Sequence, residues 1–297
     1  MKLAVSGASG LIGSAFVKAA ESRGDEVLRL VRKKPKNSKE VYWNPKTGEI
    51  DHLLLDGLDA IVHLAGAGVG DHRWSDKYKK EIYSSRVDST RLIVKAISKL
   101  HKPPKVLVSA SAIGYYGDTG SKLVDENSPA GVGFLAEVCV AWEAAAKPAK
   151  EFGVRVVHPR TGLVLSRKGG LLKKLYPIFF FALGGKMGNG KQYWSCISLN
   201  DQIRALFHLI DNEKISGGVN LVMPEAVTNQ QFVKTLGKTM KRPTLFSVPA
   251  IALKIVLGEF SSEVLGSVRV APGKLIVNDF KFDEVDLATA LQSAIKN

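Results

Sequence analysis

Cysteine is nearly absent: Cys139 and Cys196 are the only two in 297 residues, and their spacing matches no zinc or redox motif. A disulfide framework is excluded, and a reducing compartment is favoured. Long apolar runs are also missing. The most apolar stretch, residues 175–183, is too short to cross a bilayer. No signal-peptide pattern precedes the first apolar strand, so a cytoplasmic protein with no membrane partner is expected. Acid is in short supply, with 28 Asp+Glu against 42 Lys+Arg and a formal net charge of +14. That balance admits nucleic acid, an anionic surface or a phosphorylated small molecule as partner. Most of it reads as solvated surface. The Lys-rich stretches are scattered and no recognition motif accompanies them, so nucleic acid is not expected.

What remains is ordinary for a globular chain: 45% hydrophobic and 24% charged residues. Residues 2–6 form a short apolar run that ends in glycine and serine. Residues 11–23 read as a helix stopped by Gly24, and residues 26–31 as a second strand. Strand, glycine turn, helix and strand within about thirty residues are the signature of a parallel βαβ unit. The alternation continues. Residues 60–64, 105–109 and 154–158 read as strands. Residues 76–100, with a break near Ser84-Ser85, and residues 135–152 read as helices. The expectation is an α/β, Rossmann-type doubly wound parallel sheet with a smaller, mostly helical C-terminal part. The pattern loosens after Pro159. The helices 200–212, 229–240, 249–257 and 283–295 then dominate, with one strand at 218–222. We read a nucleotide-binding domain over 1–165 with a returning segment near 191–222. The second domain takes 166–190 and 223–297.

The motif Gly7-Ala-Ser-Gly10-Leu-Ile-Gly13 falls between the first strand and the first helix. Gly7 suits a tight turn, Gly10 a close approach by a pyrophosphate, and Gly13 close packing of helix on sheet. The helix N-terminus adds unpaired N–H groups and a positive dipole. Ser9, Leu11 and Ile12 complete this cofactor loop. An NAD site usually follows the second strand with an acid for the ribose hydroxyls. Residues 27–39 contain none, and Arg32, Lys33 and Lys34 stand there instead. A guanidinium can hold a 2′-phosphate through two parallel bonds. NADP(H) is therefore the expected cofactor, with Arg32 first and Lys33 second as phosphate ligands.

The stretches Ser6-Gly-Ala-Ser-Gly-Leu-Ile-Gly13, Asp59-Ala-Ile-Val-His-Leu-Ala-Gly66 and Val108-Ser-Ala-Ser-Ala-Ile-Gly-Tyr-Tyr-Gly117 resemble an extended short-chain dehydrogenase/reductase. More narrowly, the chain resembles the atypical nucleoside-diphosphate-sugar epimerase-like branch (the YfcH type, also labelled SulA-like). The resemblance spans nearly the whole chain, including Trp142-Glu143 and residues 249–282. It implies a seven-stranded sheet ordered 3-2-1-4-5-6-7. It also implies NADP(H) contacts from the glycine loop, Arg32, Leu64, Ala65 and Gly66, from Glu81 and Arg86, and from Ser109. Where relatives usually carry Asn, this chain has Arg86. Its guanidinium serves the cofactor or an anionic substrate, or else pairs with Glu81 or Asp88.

The superfamily's proton donor, Tyr-x-x-x-Lys, is missing. The Lys in that pair favours the tyrosinate and so lowers the phenol's pKa. Only Tyr42-Trp-Asn-Pro-Lys46 has the spacing. It contains proline, lies after the third strand and precedes the candidate serine, so it reads as a chance match. On the helix that should carry the pair, Leu135 and Cys139 stand at the Tyr and Lys positions; a one-residue shift gives Phe134 and Val138. Substitutes lie nearby. Ser111 is expected to polarise a substrate and Tyr116 to donate a proton, while Glu81 is a general acid/base if partly buried. His158 and Arg160 end the sixth strand. The expected function is NADP(H)-dependent epimerase or oxidoreductase-like chemistry on a phosphorylated or sugar-nucleotide small molecule. The competing reading is a catalytically silent NADP(H)-binding regulatory or interaction protein.

Overall fold

The computed structural model describes residues 1–296. Seven strands build its central sheet: β1 (Lys2–Ser6), β2 (Glu26–Val31), β3 (Glu40–Asn44), β4 (Ala60–His63), β5 (Val106–Ser109), β6 (Arg155–Thr161) and β7 (Gly217–Leu221). All seven run parallel, in the order 3-2-1-4-5-6-7. A two-residue strand, Glu49–Ile50, adds antiparallel to β3 at one edge. The central strands read as continuous apolar runs because both faces are covered; β4 and β5 are buried at every residue.

Helices close both faces. α1 (Leu11–Ser22) buries Phe16, Val17 and Ala20 in one apolar core. Fully burying a side chain such as Phe16 is worth about 2–3 kcal/mol. α2 (Asp76–Ile97) starts at Ser75, whose hydroxyl accepts the Tyr78 N–H, and runs unbroken through Ser84-Ser85. It covers the opposite face together with α3 (Phe134–Ala146), which continues as a 3-10 helix over Lys147–Phe152. A third apolar core belongs to the C-terminal half. It joins α4 (Gly170–Phe180), α6 (Asn229–Met240) and the final helix Leu287–Lys296; α5 (Leu199–Asp211) packs back on the main core.

Two expectations need correction. Tyr42 lies within the third strand, not after it, because residues 40–44 pair with β2 despite their polar flanks. The sixth strand runs through Pro159 instead of ending at His158. Its partner on the β5 side changes there: Val157 pairs with Val108, and pairing resumes at Ser111 opposite Arg160. The ladder is interrupted where proline has no N–H to give.

Candidate functional site

The glycine loop crosses the C-terminal end of β1. Gly7 adopts φ +69°, and a Cβ there would meet the Leu64 carbonyl and the Ala65 nitrogen at 2.8–2.9 Å. A Cβ on Gly13 would stand 2.1 Å from the Gly7 oxygen. Glycine is thus required at both positions by backbone packing alone. Gly10 differs. It N-caps α1 with extended backbone, and an added Cβ would touch only the Gly7 oxygen, at 3.3 Å. No side chain caps this helix and its first turn holds no acid. The N–H groups of the first turn are therefore directed at whatever lies above the loop. Ser9 is exposed, Leu11 and Ile12 are partly buried, and Gly169 presses on Leu11 from above. Arg32 and Lys33, one and two residues beyond β2, are both exposed.

The loop after β4 is aligned with the glycine loop by a buried chain of hydroxyls. Ser6 Oγ accepts the N–H groups of Leu64 and Ala65 at 3.2 and 3.3 Å. It also meets His63 Nδ1, and His63 Nε2 reaches Ser89 Oγ at 3.0 Å. Complete burial pushes the His63 pKa down to about 3, so the ring is neutral and bridges two serines. Further along, Lys174 donates to the Gly70 carbonyl and the Phe260 ring lies against Gly70 and Trp74. Lys79 pairs with Glu259 at 2.7 Å. The C-terminal half thereby leans on the rim of this loop.

Arg86 projects from α2 beside Gly66, whose added Cβ would lie 3.2 Å from the guanidinium carbon. Nη1 donates to the Ile82 carbonyl at 3.0 Å, and the guanidinium lies over Trp142 at 5.1 Å. Burial lowers its pKa. Neither expected partner takes it up: Asp88 pairs with Arg91 at 3.4 Å, and Glu81 is exposed. That exposure also removes the condition on which Glu81 was a general acid/base. Cys139 faces the same space beside Ser111 and Ala112, and burial pushes its thiol up to about 11.

Ser111 and Tyr116 belong to a different environment. Ser111 Oγ donates to Glu143 Oε1 at 2.8 Å. Arg160 clamps both oxygens of Glu143, from Nε at 2.8 Å and Nη2 at 3.0 Å. Its Nη1 donates to Tyr116 OH at 2.9 Å, and that hydroxyl donates to Asn220 Oδ1 at 2.8 Å. The guanidinium stacks 3.4 Å from the Tyr115 ring centre. Burial pushes the Tyr116 phenol up to about 12, against the pull of Arg160. Tyr116, expected to donate a proton, is held between Asn220, which accepts its proton, and Arg160, which donates to its oxygen. The Ser111 proton is likewise committed to Glu143. Arg160 stands next to the last residue of β6 and His158 further inside it, buried against the Ser109 carbonyl at 3.3 Å. Ser109 Oγ, at the end of β5, is buried with no hydrogen-bond partner. The sequence reading missed Glu143 and Asn220 as members of this network. The available signal was an acid inside the apolar run of α3 facing an arginine inside an apolar strand.

The family model for the NAD-dependent epimerase/dehydratase family matches residues 3–221. The chain belongs to that family. A second model, a domain of unknown function (DUF1731), matches residues 248–294 of this epimerase-family chain. An epimerase family protein of Mycobacterium leprae is 41% identical over 293 residues, covering 98% of this chain and 95% of the relative. The crystal structure of the human epimerase family protein SDR39U1 (isoform 2) with NADPH superposes with a TM-score of 0.92. Its identity is 29%, with all of both chains covered. A nucleoside-diphosphate sugar epimerase from Corynebacterium glutamicum gives 0.81 at 34% identity, covering 99% of this chain and 58% of that one. The glycine loop and its uncapped helix thus occur in a nucleotide-cofactor-binding family.

Proposed function

We propose that this epimerase-family protein binds NADP(H) across the ends of β1, β2 and β4, and that it acts as an oxidoreductase or epimerase on an anionic small molecule of the phosphorylated or sugar-nucleotide kind. The observation that carries the cofactor choice is the exposed Arg32-Lys33 pair just beyond β2, in a stretch without acid from residue 27 to 39. A 2′-phosphate gains two charge-assisted bonds there, whereas a bare ribose gains nothing comparable. Gly7, Ser9, Gly10, Leu11, Ile12 and Gly13 would hold the pyrophosphate. Leu64, Ala65 and Gly66, aligned by Ser6, would line the ring end with Ser109. When bound, NADP(H) supplies the hydride. Arg86 would hold a negative group of cofactor or substrate next to Gly66. The bound NADPH of the human family member, which covers the whole of this chain, supports the reading.

The experiment is cofactor titration by NADPH fluorescence. Arg32→Glu is expected to weaken NADPH at least about tenfold, which corresponds to about 1.4 kcal/mol, while NADH binding changes little. Equal loss of both cofactors, or of neither, would overturn the assignment.

One observation favours a second reading, a cofactor-binding regulatory or interaction protein without turnover. The two hydroxyls expected to serve the chemistry, Ser111 and Tyr116, are both engaged in the Glu143–Arg160 network. Assay of NADPH consumption across carbonyl and sugar-nucleotide panels separates the two. Turnover that survives Tyr116→Phe supports the first reading with other groups carrying the proton; no turnover with any substrate supports the second.

A further inference from the structure

Two stretches of the C-terminal half contain no acid at all, residues 167–200 and 226–258. Together they hold eleven Lys and Arg side chains, against a formal net charge of +14 for the whole protein. The two stretches thus carry a net +11, and the fold joins them. Gly185–Met187 pairs in parallel with Phe246–Val248. Arg242 Nε donates to the Phe180 carbonyl at 2.9 Å, and its guanidinium lies 5.4 Å from the Phe180 ring centre. The first acid after them, Glu259, is held by Lys79.

The same region exposes large apolar side chains. Phe181 is 70% exposed, Leu245 87%, Ile251 72%, Ile255 68% and Val256 71%. Helix Ala250–Leu257 buries no residue, although its sequence is Ala-Ile-Ala-Leu-Lys-Ile-Val-Leu. A helix on a finished surface hides one apolar stripe and shows water a polar one. Here the apolar residues face outward, with Lys254 among them and the exposed Lys241 and Arg242 a short way upstream. Large apolar side chains exposed together on one short helix and on the segments leading into it are the mark of a contact surface.

Charge and chemistry together select the occupant. A second copy of this chain would bring another acid-free, cationic face against the first. Nucleic acid would satisfy the cations and leave Phe181, Leu245 and Ile255 without a partner. An anionic bilayer satisfies both, since apolar tips enter the acyl boundary while Lys and Arg lie at phosphate level. We propose that this face docks peripherally on an anionic membrane surface. No helix among the described residues is long and apolar enough to cross a membrane, and docking requires none. Run length along the chain points away from a membrane partner. The patch is assembled from separate short segments that only folding brings together.

The test is flotation of the full chain with vesicles of phosphatidylcholine alone and of equimolar phosphatidylcholine and phosphatidylglycerol. Capture is expected on the anionic vesicles only, weakening as salt rises. Ile251→Asp with Ile255→Asp should lower capture about tenfold or more, because two apolar insertions are lost. Lys241→Glu with Lys254→Glu should do the same. These side chains are exposed, so thermal melting should stay at the wild-type value in both variants, and the charge pair keeps the test open if the apolar pair misfolds. The proposal is overturned by a chain that floats with neither vesicle. It is equally overturned by capture that the isoleucine pair leaves unchanged, which would make the face a general polyanion site. A dimer in light scattering that Ile255→Asp dissolves would assign the face to a second copy and overturn it too.

Discussion

Trp142 and Glu143 are neighbours on α3, and each takes one arginine. Glu143 takes Arg160, and Trp142 takes Arg86. Arg160 spends its donors on a carboxylate and a phenol and stacks on Tyr115. Its charge is held there: burial disfavours the cation, but Glu143 more than offsets it and raises the pKa. Arg86 has one backbone carbonyl and an indole face, and burial lowers its pKa. A guanidinium cannot shed its proton at working pH, so one left without an anion stays costly until an anion arrives. The two arginines, held by adjacent residues of one helix, therefore differ in compensation: Arg160 has a carboxylate, whereas Arg86 has a carbonyl and an indole face.

The sharpest way to break the comparison is to remove Arg160. Arg160→Met would leave the buried Glu143 carboxylate without its cation and take one of the two partners of Tyr116, at a cost of about 3–5 kcal/mol. Urea unfolding measures it, and Arg160→Met with Glu143→Leu should recover most of the loss. A single variant as stable as the wild type would end the claim that this network is scaffold.

His63 tests a third way of burying a polar ring. It is as enclosed as either arginine but survives by staying neutral, with its folded pKa near 3 against an ordinary value of 6.5. Between those values the unfolded chain binds more protons than the folded one. Stability is thus complete above about pH 6.5 and is lost as pH falls towards 3. The loss attributable to His63 should reach about 2 kcal/mol by pH 5. His158, whose pKa burial also lowers, adds in the same direction. Urea midpoints at pH 7 and pH 5 measure the effect, and His63→Asn should flatten the slope. An equal slope in both proteins would show that His63 is not buried neutral.

The smallest expected effect on stability comes from Arg86→Met. With no carboxylate to strand, the change should leave stability within about 1 kcal/mol, or raise it. Binding of NADPH or of an anionic substrate should weaken by contrast, as titration calorimetry would show. Clear destabilisation with unchanged binding would place Arg86 in the scaffold beside Arg160.

Legibility followed locality. Residues 2–6, 11–22 and 26–31 could be read directly, because apolar period, glycine punctuation and helix stop fall within one short window. Residues 40–44 escaped notice as a strand because their short alternation lies between a Lys-rich turn and Pro45. The stop placed before Pro159 was a sound local inference that the sheet overrode, since β6 goes on pairing with β7 through Pro159 while its other partner passes from β5 to Ser111–Ala112. Gly7 was readable as a tight-turn position and Gly13 as a close-packing one, and the steric demand at them comes from backbone a few residues away or from the end of the adjacent strand. The surroundings of Tyr116 were not legible because its partners, Arg160 and Asn220, are 44 and 104 residues distant. No spacing rule reaches that far.

By itself the sequence determined the βαβ start, the three loop glycines and the acid-free turn at Arg32, all of which rest on contacts within a few tens of residues. Tertiary structure alone decided which charges are compensated. It gave Glu143 to Arg160, withheld an acid from Arg86, and gathered two acid-free stretches into one cationic, apolar face. Compensation depends on distance in space, and folding sets those distances by burying apolar surface, which carries no record of which charges it will bring together.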